Sequence, residues 1–463
     1  MPSCRSGTGA ESVATEERGR LVRGIGLSGA VFMGLGSIMG TGLFVSLGIA
    51  TGVVGNAVLV ALPLAAMLAL VNGLSSAQLA AAHPVSGGTY AYGYRFLSPG
   101  FGFAAGTMFL LAKSASAATA ALGFAGYLLL GLGVDDGRLL RTLLAGVGVV
   151  ALTAVAGGGI VRSNRLNLGV VGVTLAGIVF FIGAAAARGA GWIFEAGFAG
   201  EFGASVAAGV DFAGRWIRQG MSEAGTGALL HATALLFVAY TGYGRIATLG
   251  EEVRDPARTI PRAIWLTLGI VALLYMGVTA VALITLGAEG FARETALTAA
   301  PLQAVARALG VPGLAMGVAA AAVTAMLGVL LNLVLGLSRV AFAMGRQGDL
   351  PARIGTVDEA SGSPRLAVWL TGGVILALVL VGDVRTTWTF SAFTVLLYYG
   401  ITNLAAFRLP EELRRYPRWV PAAGLGSCLL LAFHVPPLMW VAGLGLLAVA
   451  FAARWMGHRP RPA

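Results

Sequence analysis

Apolar runs of about 20 residues, the length needed to cross a hydrocarbon core of ~30 Å, recur along the whole chain. They fall at roughly 25–49, 57–80, 99–130, 139–158, 166–187, 224–250, 261–287, 310–345, 366–382, 387–407, 419–435 and 437–455, with polar residues gathered between them. The pattern predicts an all-α membrane protein of about 12 transmembrane helices. The third and eighth runs exceed one crossing, which predicts strong tilt or continuation beyond the membrane.

Composition removes the soluble alternative: the 463 residues are 57% hydrophobic and 11% charged, with a mean hydropathy of +0.83. A chain so poor in polar residues cannot cover a globule with a solvated surface, so lipid is its solvent. The 69 glycines fit a bundle whose helices approach closely or unwind beside a cavity. Cys4 and Cys428 suggest neither a disulfide framework nor a thiolate metal site. The formal charge of +11 lies almost entirely between the apolar runs, which argues against nucleic acid. If both termini are cytoplasmic, 20 of the 31 basic residues lie inside and eight outside, leaving Lys113, Arg245 and Arg339 within spans. That bias favours this orientation. The basic segment with Arg18, Arg20 and Arg23 precedes a Gly-rich run without an A-x-A cleavage signal and is expected to be retained, not removed as a signal peptide.

Two runs are interrupted by glycine. The first reads GAVFMGLGSIMGTGLF, with Gly34, Gly36, Gly40 and Gly42, and the sixth reads LLFVAYTGYGRIATLG, with Gly242 and Gly244. Gly-interrupted spans five helices apart are the mark of an inverted five-plus-five repeat, whose broken helices meet at a midplane binding site. At the first break, Gly40, Thr41 and Gly42 would offer backbone N–H groups and a positive helix end to a carboxylate. Carbonyls near Ile38, Val238 and Thr241 would be left free by the preceding half-helices and suit an ammonium. An α-amino acid carries both groups on one carbon.

Further motifs lie at the span ends: HPVSGGTYAYGYRFLSP after the second run, GEEVRDPARTIPRAI after the sixth and LGLSRVAFAMGRQGDLP at the end of the eighth. Together with GSIMGTGLF in the first run, these segments resemble the amino acid–polyamine–organocation superfamily of transporters over nearly the whole chain. The resemblance implies a leucine-transporter-like fold with two added C-terminal helices. It divides the chain into a cytoplasmic tail at 1–23, a first repeat at 24–188, an outer loop at 189–223, a second repeat at 224–409, helices 11 and 12 at 410–457, and a second cytoplasmic tail at 458–463. It maps substrate binding onto Ile38, Gly40, Thr41 and Gly42 in the first span and Val238, Tyr240, Thr241 and Gly242 in the sixth. Ser86, Gly87, Gly88, Glu251, Glu252 and Arg254 are read as turn and cap residues. The expected partners are an amino acid, neutral in preference to acidic, cationic or polyamine substrates, and membrane lipid.

Other classes lack their signatures. The loop after the second span has neither the acidic residue nor the basic pair of the major facilitator turn. The four histidines have no metal-ligand spacing, and all 20 Asp and Glu fall in loops, tails or span ends, so no metal, cofactor or acid–base pair of a membrane enzyme is expected. Ionisable residues inside spans are functional candidates. Arg339 is read as snorkelling to the interface from the end of the eighth span. Arg245, one turn beyond the sixth-span break, could reach the pathway or close a gate. Lys113 is the single lysine against 30 arginines. Unlike arginine, a buried lysine can release its proton, so Lys113 is a candidate coupling residue and a proton a candidate coupling ion. In several proton-linked members of the superfamily a lysine on the fifth helix takes the place of sodium, but here Thr174 stands at that position.

Overall fold

A computed structural model describes residues 25–83, 87–134, 137–158, 164–195, 225–247, 253–358 and 362–457. Both tails, most of the predicted 189–223 loop, Ser86, Glu251 and Glu252 lie outside the described residues. Each of the twelve predicted runs is helical, and no strand forms among the described residues, where only two isolated bridges occur. Among the described residues, nine helical stretches are long and apolar enough to cross a membrane, and Leu27–Ile38, Arg365–Val381 and Trp419–Ala432 are shorter apolar helices. In lipid a backbone group has no water to pair with, and helices satisfy their own.

The first run is split into α1 (Leu27–Ile38), a π turn (Gly42–Ser46) and α2 (Leu47–Val54). Gly55, with φ of 58°, turns the chain into α3 (Val58–Ala82), and the short α4 (Thr89–Phe96) follows. Next come α5 (Pro99–Gly131), α6 (Arg138–Gly157) and α7 (Asn164–Glu195). Ser98 caps α5 by accepting from the Phe101 amide, with Pro99 at the first helical position, where its missing N–H costs nothing.

The sixth run is split as the first is. Helix α8 covers 225–240, a 3₁₀ turn covers Thr241–Tyr243, and α9 covers Gly244–Ala247. Helix α10 (Pro256–Thr298) is longer than its apolar run and bends at Gly287, whose φ of 70° is left-handed. The remaining helices are α11 (Pro301–Ala308), α12 (Leu314–Arg346), α13 (Arg365–Val381), α14 (Val384–Phe407), α15 (Trp419–Ala432) and α16 (Pro437–Gly457).

The two broken spans cross at their breaks, and glycine makes the approach possible. A Cβ on Gly242 would lie 2.5 Å from both the Ser37 carbonyl oxygen and Ile38 Cγ1. A Cβ on Gly42 would lie 2.5 Å from the Tyr275 hydroxyl and 3.0 Å from the Ala239 Cβ. Each break therefore occupies the space that the other leaves by having no side chain.

The ends of the bundle differ. At one end, the tail face, Ile25 bridges to Val253, Arg415 donates to the Ala257 carbonyl, and the Tyr416 amide donates to Gln78. There Asp349, 5% exposed, accepts from the Tyr90 and Tyr94 hydroxyls at 2.8 and 2.6 Å and pairs with Arg454 of α16 at 2.9 Å. Burial first and the Asp349 carboxylate second push the Tyr94 hydroxyl up to about 12, so it stays protonated and donates. At the opposite end, the far face, α11 lies across the bundle. The Tyr127 hydroxyl donates to the Phe44 carbonyl at 2.9 Å and accepts from the Leu302 amide at 3.2 Å. Arginines complete the closure: Arg307 donates to the Leu130 carbonyl, Arg141 to that of Leu297, and Arg188 to that of Leu309.

Gly242→Ala is expected to force the crossing apart at a cost of about 1–3 kcal/mol, seen as a lower midpoint of thermal unfolding in detergent. Gly317→Ala, where a Cβ meets nothing within 4 Å, should leave the midpoint unchanged or higher. Asp349→Ala removes the acceptor shared by two tyrosines and an arginine, and a loss of about 3–5 kcal/mol is expected for breaking such a buried pair. The same thermal measurement checks it.

Candidate functional site

A cavity of about 270 Å³ runs from the crossing of the two breaks to the tail face. Its inner wall is Ile38, Thr41, Gly42, Val238, Thr241 and Gly242, and its outer wall includes Gly87, Gly88, Tyr90 and Ala343. None of the far-face residues that hold α11 lines it.

Six of the eight residues mapped from the sequence thus share one wall. The other two do not reach it. Gly40 faces α12, where a Cβ would lie 2.5 Å from Val329 Cγ2, and Tyr240 is fully buried with its ring 5.1 Å from that of Tyr275. Thr41 is 4% exposed, and its buried hydroxyl has no protein partner.

The carbonyls expected to be free at the breaks already hold donors. Tyr275 of α10 places its hydroxyl 3.2 Å from the carbonyl oxygens of both Ile38 and Ala239. The Thr241 hydroxyl donates to the Val238 carbonyl at 2.7 Å, and the Tyr399 hydroxyl donates to the Thr241 carbonyl at 3.2 Å. Lipid allows no orphaned backbone group, and tyrosines from α10 and α14 meet that demand. A carbonyl oxygen has two lone pairs; those of Ile38 are taken by Tyr275 and the Gly40 amide and those of Thr241 by Tyr399 and the Gly244 amide, which leaves Val238, with one side-chain donor, as the carbonyl suited to a ligand ammonium. The Gly40 amide turns back onto the Ile38 carbonyl at 2.9 Å, leaving Thr41 and Gly42 to head the second half of the span. Donors in a first helical turn have no intrahelical acceptor, and the helix end there is positive.

Lys113 enters from α5. Its Nζ donates to the Thr241 hydroxyl at 2.9 Å, which donates in turn to the Val238 carbonyl. One hydrogen-bonded relay therefore ties the single lysine to the sixth-span break. Thr174, the position of the fifth-helix lysine in some members of the superfamily, bonds its own helix at Val170 and does not line the cavity. Arg245 lines the cavity from α9.

Sequence reasoning missed the walls supplied by α5, α12 and α14. Phe109, Val329, Leu333 and Trp388 give an apolar side, with the Trp388 indole fixed by donation to the Leu235 carbonyl at 3.0 Å. Ser116 and Asn332 add polar groups, and Ser116 pairs with Ser391 at 2.8 Å. Asn332 was the one visible signal, as an amide in the middle of an apolar run. Arg339, read from the sequence as snorkelling to the interface, lines the cavity. Among the described lining residues there are three cations, Lys113, Arg245 and Arg339, and no carboxylate. No group of three or more His, Cys, Asp or Glu suited to a metal ion occurs among the described residues.

Comparison with known proteins agrees with this architecture. The family described as amino acid permease matches residues 29–456. An uncharacterized transporter of Mycobacterium tuberculosis is 40% identical over 433 residues, covering 94% of this chain and 91% of that protein. The branched-chain amino acid permease BcaP of Bacillus subtilis is 27% identical over 95% of this chain and 89% of its own. The methylthioribose transporter of the same organism is 25% identical over 95% of this chain and 94% of its own. With a match along nearly its whole length and a many-helix apolar body around a central cavity, the chain belongs to the amino acid permease family of membrane transporters.

Proposed function

We propose that this transporter carries neutral amino acids across the plasma membrane by alternating access, with the tail face cytoplasmic. The observation that carries the reading is the crossing of the two breaks on the wall of one cavity, where donors from Thr41 and Gly42 share that wall with the Val238 carbonyl, which holds one side-chain donor. A carboxylate and an ammonium on one carbon match that pair of subsites. The distribution of arginine supports the orientation. The twelve helical runs, with breaks in the first and sixth, support an inverted five-plus-five repeat with two added helices.

The side-chain class follows from the rest of the lining. Phe109, Val329, Leu333 and Trp388 suit an aliphatic or small apolar group. Three cations and no described carboxylate oppose a cationic side chain or a polyamine. A second reading, an acidic substrate paired with Lys113 or Arg245, is favoured by the same charges. The likeness to a branched-chain amino acid permease supports the neutral one.

Lys113 is the proposed coupling residue. Its ammonium, held through Thr241 at the sixth-span break, supplies a positive charge at the site that a proton can add or remove. Coupling to protons through this amine needs no metal ion.

In proteoliposomes the purified protein is expected to exchange labelled leucine, alanine or serine, with arginine competing at least roughly tenfold more weakly, a difference of ~1.4 kcal/mol. Absence of exchange for every amino acid tried would remove the permease reading, and strong competition by arginine alone would reverse the side-chain class. Lys113→Arg should be nearly as damaging as Lys113→Ala, each losing roughly tenfold or more in exchange rate, because arginine keeps the charge but cannot release a proton. Exchange measured from pH 5 to 8 decides between outcomes. Lys113→Arg with wild-type activity and an unchanged pH profile would exclude titration of this residue from the mechanism.

A further inference from the structure

Arg339 lies seven residues inside the end of α12 at Arg346, about 10 Å of helix rise. An arginine facing lipid near midmembrane costs about 2.5–3.5 kcal/mol even after local adjustment, which is why such residues turn to a cavity or to the interface. Here the cavity takes it. Arg339 is exposed and lines the cavity together with Asn332 and Gly336, which lie on the same face of α12 at helical spacing. A Cβ built on Gly336 would meet nothing within 4 Å, so α12 borders open space beside the guanidinium.

Side chains on an α-helix tilt toward its N-terminus, and α12 begins at Leu314, on the far-face side. The Cα–Cβ bond of Arg339 therefore tilts deeper into the cavity, over Gly336 and toward Asn332, and away from the tail face. The guanidinium offers a planar fork of donors that matches a carboxylate, and the Asn332 amide offers two more. Lys113 and Arg245 stand on other walls, and no described lining residue is acidic.

We propose that Arg339, with the Asn332 amide, forms a carboxylate subsite in the cavity between the two breaks and the tail face. It holds the substrate's carboxylate after it leaves, or before it reaches, the donors of Thr41 and Gly42. Its ligand class is the organic monocarboxylate, and an amine with the same side chain but no carboxylate gains nothing from it. The subsite faces only the tail side of the closed far-face barrier, so it acts on affinity at that side. This inference rests on the permease reading for its transport consequence.

The test uses the full chain in proteoliposomes of known orientation, with leucine as substrate and KM measured separately for entry from each side. Arg339→Gln is expected to raise the tail-side KM roughly tenfold and to leave the far-side KM within about twofold, while Arg339→Lys recovers most of the loss. As probes, 4-methylpentanoate, which has the carboxylate alone, should compete at the tail side of the wild type and lose that competition in Arg339→Gln. Isopentylamine, which has the amine alone, should compete equally in both. Unchanged tail-side KM in Arg339→Gln, equal loss on both sides, or matching changes for acid and amine would overturn the subsite. Should Arg339→Gln fail to insert, Asn332→Ala is expected to weaken 4-methylpentanoate competition selectively, and no weakening would count against the proposal. If the wild type transports no amino acid, the permease reading fails on its own. The subsite is then tested by stabilisation of the purified protein by 4-methylpentanoate, expected in the wild type and absent in Arg339→Gln, with equal stabilisation in both overturning it.

Discussion

The rest of the structure depends on the mutual crossing of two interrupted helices. A break in a membrane helix leaves amides and carbonyls without partners, and lipid supplies none. The chain meets that demand inside the protein. Gly42 and Gly242 let the first and sixth spans approach until each fills the other's missing side chain, and Tyr275, Thr241 and Tyr399 donate to the carbonyls left over. Polar backbone that would be a defect elsewhere becomes the wall of a cavity, and the amides of a half-helix start stand within the same small space as the Val238 carbonyl.

What surrounds the crossing holds it in one state. Hydroxyl pairs tie the helices beside it: Ser116 to Ser391 and Thr119 to Thr387 between α5 and α14, and Thr89 to Thr402 near the tail face. On the far side, α11 is pinned by arginines donating to carbonyls and by the Tyr127 hydroxyl shared between α11 and the first span. These contacts are side chain to backbone and exchange readily for water, so closure at this end rests on many modest bonds. The tail face instead leaves the cavity open past Gly87, Gly88 and Tyr90, while the buried Asp349 fastens α16 and α4 to the end of α12. The cavity lining thus reaches residues of the tail face and none of those that hold α11 at the far face.

The charges follow the same division. Acidic residues are absent from the described cavity wall, and basic ones are placed there at three positions from three helices. Lys113 is joined to the break through Thr241, whereas Arg339 stands apart from it over open space. The two therefore differ in chemistry and in setting: a compact ammonium within the hydrogen bonding of the break, and a planar fork along the way out.

Much was legible in the amino-acid sequence because lipid imposes a simple rule on length and polarity. The apolar runs placed the long helices, most of them within a few residues, but not the short α4 and α11 or the full length of α10, and Gly40 through Gly42 and Gly242 marked the breaks because glycine crowding has no use in a plain anchor. Which way each residue faces was decided only by tertiary structure. In water an apolar stripe reveals the buried side of a helix, but in a membrane both the lipid-facing and the protein-facing sides are apolar, and that signal disappears. So Gly40 and Tyr240, inside the motif, turned toward α12 and α10, while Phe109, Asn332 and Trp388, outside it, turned to the cavity. For the same reason the sequence determined that Arg339 lies within a span, and only the packing of α12 against the broken helices determined that it lines the cavity.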